Sequence, residues 1–379
     1  MQPPSTIVAF DEKELFLPSN GQPIIVNNQK SRARVWYKIY ILLFGLFFYI
    51  FFNLMNKLYT LRESEDQNVN TDNIYQLESL KNEDVLHTGI FASCQGTKGP
   101  TIPYKGQSDF QFDQQAFSHL SIDQRTNTHR GTFLQITNGN TVVSIDETIS
   151  RTSITFDLKF DHEELQDVFW IEQTEDKVQG VYSLIIRADE SYSYDGCISI
   201  NIDIRVPNLT ALTTLTISLA NNGISLKEGL ILEKLAVSVA NGYIEFEEGI
   251  SSGNAVFTVA NGHVSGKINT LSNDLTSSVA NGYTEIAIKQ IEQATNEDIS
   301  IQAAVANGHN DLRVPSSFNS QFQLESFAGR HIIESTYPQN IHRRSGRWGA
   351  IFGYYGNDKD TRNSVILKTS SGGLKLTYV

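Results

Sequence analysis

A four-residue motif, Val-Ala-Asn-Gly, occurs four times in the second half of this chain, at 239–242, 259–262, 279–282 and 305–308. The asparagines of the first three copies are 20 residues apart (261 − 241 and 281 − 261), and the fourth follows after 26 (307 − 281). Repeats of this period are typical of chains built from similar units that stack and bury their apolar sides against their neighbours. The motif therefore predicts a repeat architecture for this half of the molecule.

The residues around the motif predict β-strands. Each copy follows an alternating stretch and precedes an aromatic residue or a histidine, and Asn-Gly favours a tight turn. Two all-β architectures fit these turns: a β-solenoid, and an antiparallel β-meander or sandwich. In a solenoid, equivalent residues lie about 4.8 Å apart in successive rungs, so that asparagines can form a hydrogen-bonded ladder while valines and alanines stack inward. Because the same four residues recur, we favour the solenoid, with regular rungs at about 210–315 and a ladder of Asn241, Asn261, Asn281 and Asn307.

Strand patterns also occur outside the repeat. The longest alternation of apolar and polar residues runs from 197 to 206 and stops at Pro207. Near the C-terminus, the segment 343–356 is rich in glycine, aromatic and basic residues, including Arg343, Arg344, Arg347 and Trp348. We interpret it as a loop or hairpin that caps one open end of the stack. Together these patterns predict one all-β domain over 89–379.

The segment 36–55 is apolar on every face for 20 residues, with Lys38 and Asn53 near its ends. A helix of this length spans about 30 Å, the hydrocarbon thickness of a bilayer. Basic residues precede the segment and acidic residues predominate after it, which favours a cytoplasmic N-terminus. The predicted organisation is a flexible cytosolic arm at 1–35, a single transmembrane signal anchor at 36–55, a polar stalk at 56–88 and the β-domain outside the cytoplasm.

Three further features fit an extracellular or lumenal domain. Cys94 and Cys197 are the only cysteines, and an oxidising compartment would allow them to form a disulfide, although two separate thiols are the alternative. Asn208-Leu-Thr is an acceptor sequence for N-glycosylation. The net charge of −12 argues against nucleic acid as a partner.

The alternating strand before Pro207, the Ala-Asn-Gly rungs and the closing segment 369–376 resemble an adhesin-like domain family of unknown function. That family occurs in bacteria and, behind a membrane anchor, in fungi. The resemblance covers roughly 90–379. It implies a β-helical or solenoid-like domain outside the membrane, with adhesion as its role, and it supplies no active-site residue.

The position that follows each Asn-Gly pair is the main candidate for a binding site. Its four occupants are Tyr243, His263, Tyr283 and His309. If the rungs stack, these rings line up as a stripe that could contact the rings of a glycan, or they pack on one another as a structural ladder. We expect no metal site, because tyrosines separate the histidines and no carboxylate recurs beside them.

The sequence contains no H-E-x-x-H or phosphate-loop motif. The acidic residues near the repeats, Glu245, Glu247, Glu248, Glu285 and Asp311, fall at inconsistent positions for a pair of hydrolytic carboxylates. The favoured hypothesis is a non-enzymatic surface protein, without a cofactor, that binds cell-wall glycan or another surface protein. The alternatives are a carbohydrate-active β-helix enzyme and a structural domain of an organelle membrane protein. The sequence leaves the oligomeric state open.

Overall fold

The computed structural model describes residues 100–125, 133–137, 139–189, 195–207, 212–293, 298–344 and 349–379. These residues confirm the all-β fold class: they form nineteen strands and two short 3₁₀ helices, at Glu163–Asp167 and Pro338–Asn340. Within these ranges no helix has the length and apolarity needed to cross a bilayer. The predicted arm, anchor and stalk (1–35, 36–55 and 56–88) lie outside the described residues and remain predictions.

The strands follow one another along the chain with the bounds β1 Ile102–Pro103, β2 Asp109–Phe112, β3 His119–Arg125, β4 Phe133–Thr137, β5 Gly139–Ile145, β6 Thr152–Phe160, β7 Phe169–Asp176, β8 Val181–Ala188, β9 Asp195–Val206, β10 Thr214–Leu226, β11 Ile231–Leu271, β12 Leu275–Ile291, β13 Ser300–Val314, β14 Ser320–Ala328, β15 His331–Ser335, β16 Ile341–Arg344, β17 Ala350–Tyr355, β18 Ser364–Ser371 and β19 Leu374–Tyr378.

The repeat strands pair in parallel and in register. β10 pairs with β11 and β11 with β12 at an offset that aligns equivalent motif residues, such as Asn221 with Asn241 and Asn261 with Asn281. β12 pairs with β13 in the same way, aligning Asn281 with Asn307. We call each such unit a layer; β11 is long enough to supply two. In every layer the segment before the Asn-Gly corner is the first side, and the segment after it is the second side.

At both ends of the repeat, the order of the layers in space differs from their order along the chain. β10 pairs with β3 on its first side and with β5 on its second side, and β3 and β5 pair in turn with β8 and β9. At the other end, β18 and β19 lie between β13 and the pair β14 and β15. In spatial order, the layers of the described chain are therefore β8/β9, β3–β5, β10, the two halves of β11, β12, β13, β18/β19 and β14/β15.

Antiparallel strands cover the outermost layers. β6 pairs with β9 and β7 with β8, while β1 and β2 extend the sheet beyond β6. At the far end β17 pairs antiparallel with β14, and β16 with β17. This pair lies in the segment that the sequence predicts as a capping hairpin; of its basic and aromatic residues, Arg343 and Arg344 are exposed, and Arg347 and Trp348 lie outside the described residues. The antiparallel strands satisfy backbone groups that an open layer would leave unpaired.

The corners show why the motif has its four residues. The valines 239, 259, 279 and 305 are buried, whereas the alanines that follow them are half-buried or exposed. The prediction that alanine stacks inward is therefore wrong, because successive residues of a strand point to opposite faces. Gly262 has φ +140°, and a Cβ atom placed on it would lie 1.6 Å from the carbonyl oxygen of Gly242 in the layer below. Only glycine fits this close approach.

The asparagines of the corners form a continuous hydrogen-bonded ladder on the outside of the stack. Each Nδ2 donates to the Oδ1 of the asparagine one layer below: Asn241 to Asn221 (2.7 Å), Asn261 to Asn241 (2.8 Å), Asn281 to Asn261 (2.9 Å) and Asn307 to Asn281 (2.9 Å). These exposed amides are used within the chain, so the ladder is part of the structure of the corner.

Candidate functional site

The residues after the Asn-Gly pairs form a single column of stacked rings, here called the ring stripe, which consists of Tyr243, His263, Tyr283 and His309. The centroids of successive rings are 5.5, 4.6 and 4.9 Å apart, and the ring planes differ by 14°, 4° and 6°. Parallel register produces this column, since Tyr283 aligns with both His263 and His309. Each good contact between stacked rings stabilises the stack by about 0.5–1.5 kcal/mol.

The faces of these rings are largely unavailable to a ligand. Each inner face lies against the next ring, and Tyr243 lies over Gly223, where an added Cβ would come within 2.2 Å of the Cζ atom of Tyr243. At the other end His309 is exposed, and the register places Gly373 beside it in the next layer, where an added Cβ would have only the carbonyl oxygen of Arg330 nearby, at 4.0 Å. The stripe therefore presents ring edges along its length and one open face, at His309.

The edges of the stripe carry hydrogen-bonding groups of several kinds. Tyrosine hydroxyls alternate with imidazole nitrogens, and carboxylates flank them in the next outward positions of the second side. Nε2 of His263 lies 3.1 Å from Oε1 of Glu245. Burial, together with the charges of Glu245 and Glu285, raises the pKa of Tyr283, which keeps its hydroxyl protonated and able to donate.

Asp311 lies beside His309 on the second side, in register with Glu285 and Lys375. Burial raises the pKa of its carboxyl, although Lys375 and Arg313 oppose this effect. The Nε atom of Arg313 lies 3.8 Å from Oδ1 of Asp311, and its Nη2 atom lies 3.4 Å from Oε1 of Glu285. The second side thus combines donors and acceptors that suit a ligand rich in hydroxyl groups.

The other predicted site residues either belong to other strands or lie outside the described residues. Cys197 is buried on β9, whereas Cys94 and Asn208 lie outside the described residues, so the disulfide and the glycosylation remain predictions. In the ranges that the structure covers, no cluster of His, Cys, Asp or Glu has an arrangement that could hold a metal ion. Glu247 is exposed on the second side beyond Glu245.

Two clefts lie away from the stripe, and the sequence patterns did not reveal either. One, of about 260 Å³, lies over β5, β6 and β9 and is lined by Asn140, Asp157, Asn201 and Asp203 among others. The other, of about 420 Å³, is strongly polar and includes Asp298, Asp358, Asp360 and Arg362. Each is assembled from chain segments far apart in sequence, so no local spacing of residues signals it.

No family model matches this sequence, and neither does any curated protein. Among solved structures, a candidate adhesin from Bacteroides fragilis is similar at 14% identity, covering 73% of this chain and 99% of its own, with a TM-score of 0.32. A candidate cell adhesion protein from Clostridium sporogenes is similar at 12% identity, covering 73% of this chain and 100% of its own, with a TM-score of 0.31. A candidate lipid-binding protein from Parabacteroides distasonis has a TM-score of 0.19 at 12% identity, with 74% and 98% covered. TM-scores this low transfer neither a fold nor a function to this chain.

Proposed function

We propose that this chain is a non-enzymatic, membrane-anchored adhesion protein whose β-domain is a β-solenoid and whose ring stripe binds glycan outside the cytoplasm. The observation that carries the proposal is the alignment of four polar-edged rings in successive layers, separated by 5.5, 4.6 and 4.9 Å. A row of hydroxyl and imidazole groups at such regular spacing suits an extended polymer that offers a hydroxyl group at each step.

The solenoid is supported by strand pairing and by side-chain ladders. Parallel pairing at a constant 20-residue offset places Asn221 beside Asn241 and Asn261 beside Asn281. The asparagine and ring ladders run along the same corners. A chain that advances by one layer with each repeat produces both ladders, because equivalent residues then lie directly above one another.

A glycan is the ligand that fits these contacts. Phenol and imidazole edges, together with Glu245, Glu285 and Asp311, provide both donors and acceptors, which sugar hydroxyls can satisfy. The one open ring face, at His309, can lie against the apolar face of a sugar at the end of the stripe. The acidic residues nearby disfavour anionic polymers, so we propose a neutral glycan.

The membrane anchor and its orientation come from the sequence. The apolar segment 36–55, with basic residues before it, would hold the N-terminal arm in the cytoplasm and place residues 89–379 on the outside. Protease protection in intact cells tests this arrangement. For a surface protein, we expect external protease to digest the β-domain in intact cells. A β-domain that is digested only after the cells are permeabilised would indicate an internal compartment.

Glycan-array binding by the full chain tests the stripe. The double variant Tyr243→Phe and Tyr283→Phe keeps both rings but removes their hydroxyls, so we expect glycan binding to weaken about tenfold without loss of folding. His309→Ala should remove the open ring face. Ser278→Ala, on the first side of the stack, is the matched control. Glycan binding that is equal in the wild type and in the stripe variants would contradict the proposal.

The polar cleft of about 420 Å³ is the observation most favourable to an enzyme. Its carboxylates are exposed, Oδ1 of Asp358 accepts a hydrogen bond from the backbone of Asp360 at 3.0 Å, and Asp298 lies 3.9 Å from Arg362. Glycoside hydrolysis requires one carboxyl group kept protonated by a drier environment. We expect no release of reducing ends from the bound glycan. Hydrolysis that Asp358→Asn abolishes would favour the enzyme instead.

A further inference from the structure

On the first side of the stack, two adjacent rows of outward residues are free of charge over five consecutive layers, while the exposed Lys234 and Asp274 lie at the start of the same side. Its outward positions alternate with buried residues such as Leu215, Ile217 and Phe257. We call this surface the neutral face; it consists of Thr216, Ser218, Ala236, Ser238, Val256, Thr258, Thr276, Ser278, Gln302 and Ala304. All are hydroxyl, amide or small apolar residues, and Val256 is 41% exposed.

The second side of the same layers carries many more charged residues. Its outward positions include six charged residues: Glu245, Glu247, Lys267, Glu285, Asp311 and Arg313. The two sides belong to the same strands and have the same geometry, so strand structure does not explain the difference in charge. Depletion of charged residues is characteristic of the core of a protein interface. In a chain with a net charge of −12, this face is a surface on which two copies can meet without repulsion.

Charges of opposite sign lie at the two ends of the neutral face. In register, Ser218 aligns with Asp123 at one end, and Ala304 aligns with Lys368 at the other. The row in register with Thr258 therefore contains seven residues, with Thr258 in the middle: Asp123, Ser218, Ser238, Thr258, Ser278, Ala304 and Lys368. Asp123 also pairs with Arg125 at 2.6 Å, and Lys368 with Glu325 at 3.4 Å, so each end carries a small charged network.

We propose that the neutral face docks a second copy of this chain, face to face, with the two stacks antiparallel. A two-fold axis along the strands at Thr258 places Asp123 of each copy opposite Lys368 of the other, and Ser238 opposite Ser278. A neutral polymer would gain nothing from charges placed in this way, whereas a self-complementary pair uses both of them. This favours a second copy as the occupant.

The area of the face determines how tight the contact is. Seven layers at about 4.8 Å and all the outward positions of the first side, with the neutral face at their centre, cover about 29 by 20 Å, so a pair of copies would bury on the order of 1,200 Å² in total. This is at the lower end of the range for stable interfaces. We therefore expect a weak, reversible pair that becomes effective when many copies face each other across two surfaces.

The antiparallel arrangement has a consequence for adhesion, which rests on the proposed function. The described chain begins next to β1, which pairs with β6 at one end of the stack. In an antiparallel pair these ends point in opposite directions. We therefore expect copies displayed by two cells to pair through their neutral faces, so that the pair joins cells that display the same protein.

Disulfide trapping of the full chain tests the geometry. Thr258→Cys lies on the proposed axis, so mild oxidation should link it to itself. Ser238→Cys should link to Ser278→Cys in a mixture, and much less to itself. All variants keep Cys94 and Cys197, and Ser265→Cys on the second side is the matched control. Equal cross-linking of Thr258→Cys and Ser265→Cys would overturn the proposal, and so would self-linking of Ser238→Cys at the level of the mixture.

Bead aggregation tests the adhesion. Beads carrying the full chain through an N-terminal tag should cluster, and Val256→Arg should reduce clustering about tenfold, because an arginine would be buried without a partner. Ala287→Arg on the second side should cluster as the wild type does. Beads that carry only Asp123→Lys, or only Lys368→Asp, should not cluster. A mixture of the two kinds of bead should cluster, because a pair formed between the two variants restores both charge pairs.

The outcomes separate this proposal from glycan binding by the stripe. Stripe variants that lose glycan should still cluster, and Val256→Arg should still bind glycan. If wild-type beads remain dispersed while Val256→Arg loses glycan binding, the neutral face binds the polymer and docking of a second copy is wrong. If wild-type beads remain dispersed and Val256→Arg keeps its glycan, the self-docking proposal fails alone.

Discussion

The middle layers and the end layers of this molecule reach the same parallel pairing by different routes. In β10 to β13, each layer pairs with the next segment of the chain, and the corner residues repeat. At the ends, β3–β5 lie between β9 and β10, and β18/β19 lie between β13 and β14. Repetition of a motif is thus needed only where neighbours in sequence are also neighbours in space. Where strands insert from elsewhere, complementary packing replaces it.

The cores of the two regions differ accordingly. The middle is filled mainly by aliphatic residues at repeated positions, with Phe246 stacked on Phe257 at 4.9 Å. The end layers contain larger aromatic groups: Tyr355 stacks on Tyr378 at 3.8 Å, and Phe112 stacks on Tyr182 at 4.6 Å. Burial raises the pKa of Tyr182 to about 12, so its hydroxyl stays protonated. Large, specifically placed rings hold inserted strands that no local repeat aligns.

The largest loss of stability is expected at a corner glycine of the middle layers. Gly262→Ala adds a Cβ at φ +140° and 1.6 Å from the carbonyl oxygen of Gly242, so we expect a loss of about 4 kcal/mol or more in the free energy of unfolding. The matched control is Gly373→Ala in an end layer, where the nearest atom is 4.0 Å away and the effect should stay within about 0.5 kcal/mol. Urea denaturation of both variants measures the difference. Similar losses would contradict the stacked corner.

An intermediate effect is expected at the C-terminal end, from hydroxyl groups. Tyr378→Phe leaves the buried hydroxyl of Ser320 without its 3.0 Å contact, which costs about 1–3 kcal/mol. Tyr355→Phe is the control, because the Ser335 hydroxyl that contacts Tyr355 also accepts a hydrogen bond from the backbone of Tyr337 at 2.9 Å. Thermal unfolding should show the larger loss for Tyr378→Phe. A larger loss for Tyr355→Phe than for Tyr378→Phe would mean that the hydrogen bond between Tyr378 and Ser320 does not stabilise the inserted layer.

The smallest effect comes from the asparagine ladder. Asn261→Ala removes two ladder hydrogen bonds, whereas Asn307→Ala removes only the bond to Asn281. Because these amides are exposed, we expect a loss of about 1 kcal/mol for the first variant and about half of that for the second. Chemical denaturation of the two variants and the wild type measures this ratio. Equal stability of all three would show that water replaces the ladder without cost.

The sequence predicted the middle of the molecule better than its ends. The alternation of apolar and polar residues and the Asn-Gly corners indicated the strands, because period-two burial and positive φ are local properties. The same reasoning placed both valine and alanine inward, whereas the structure buries only the valines. It left open whether the rings would offer their faces to a ligand or pack on one another, and the structure shows that stacking covers all but the outer face of His309.

The order of the end layers was not predictable from the sequence. Ala304 pairs with Lys368, and Thr216 with Ser121, across long stretches of intervening chain. Closing such loops costs conformational entropy that only the complete packed core offsets, so no local pattern signals the pairing. The neutral face is equally hidden, since its residues become a surface only when five layers align.

The sequence by itself determined that this domain is all-β, where its chain turns and which residues recur at equivalent positions, because these properties depend on neighbours within a few residues. Tertiary structure alone decided which strands cover the ends, which ring surfaces meet solvent and which uncharged residues line up as a continuous surface. These properties arise from contacts between segments far apart in the chain, whose free energy is gained only when the layers pack together.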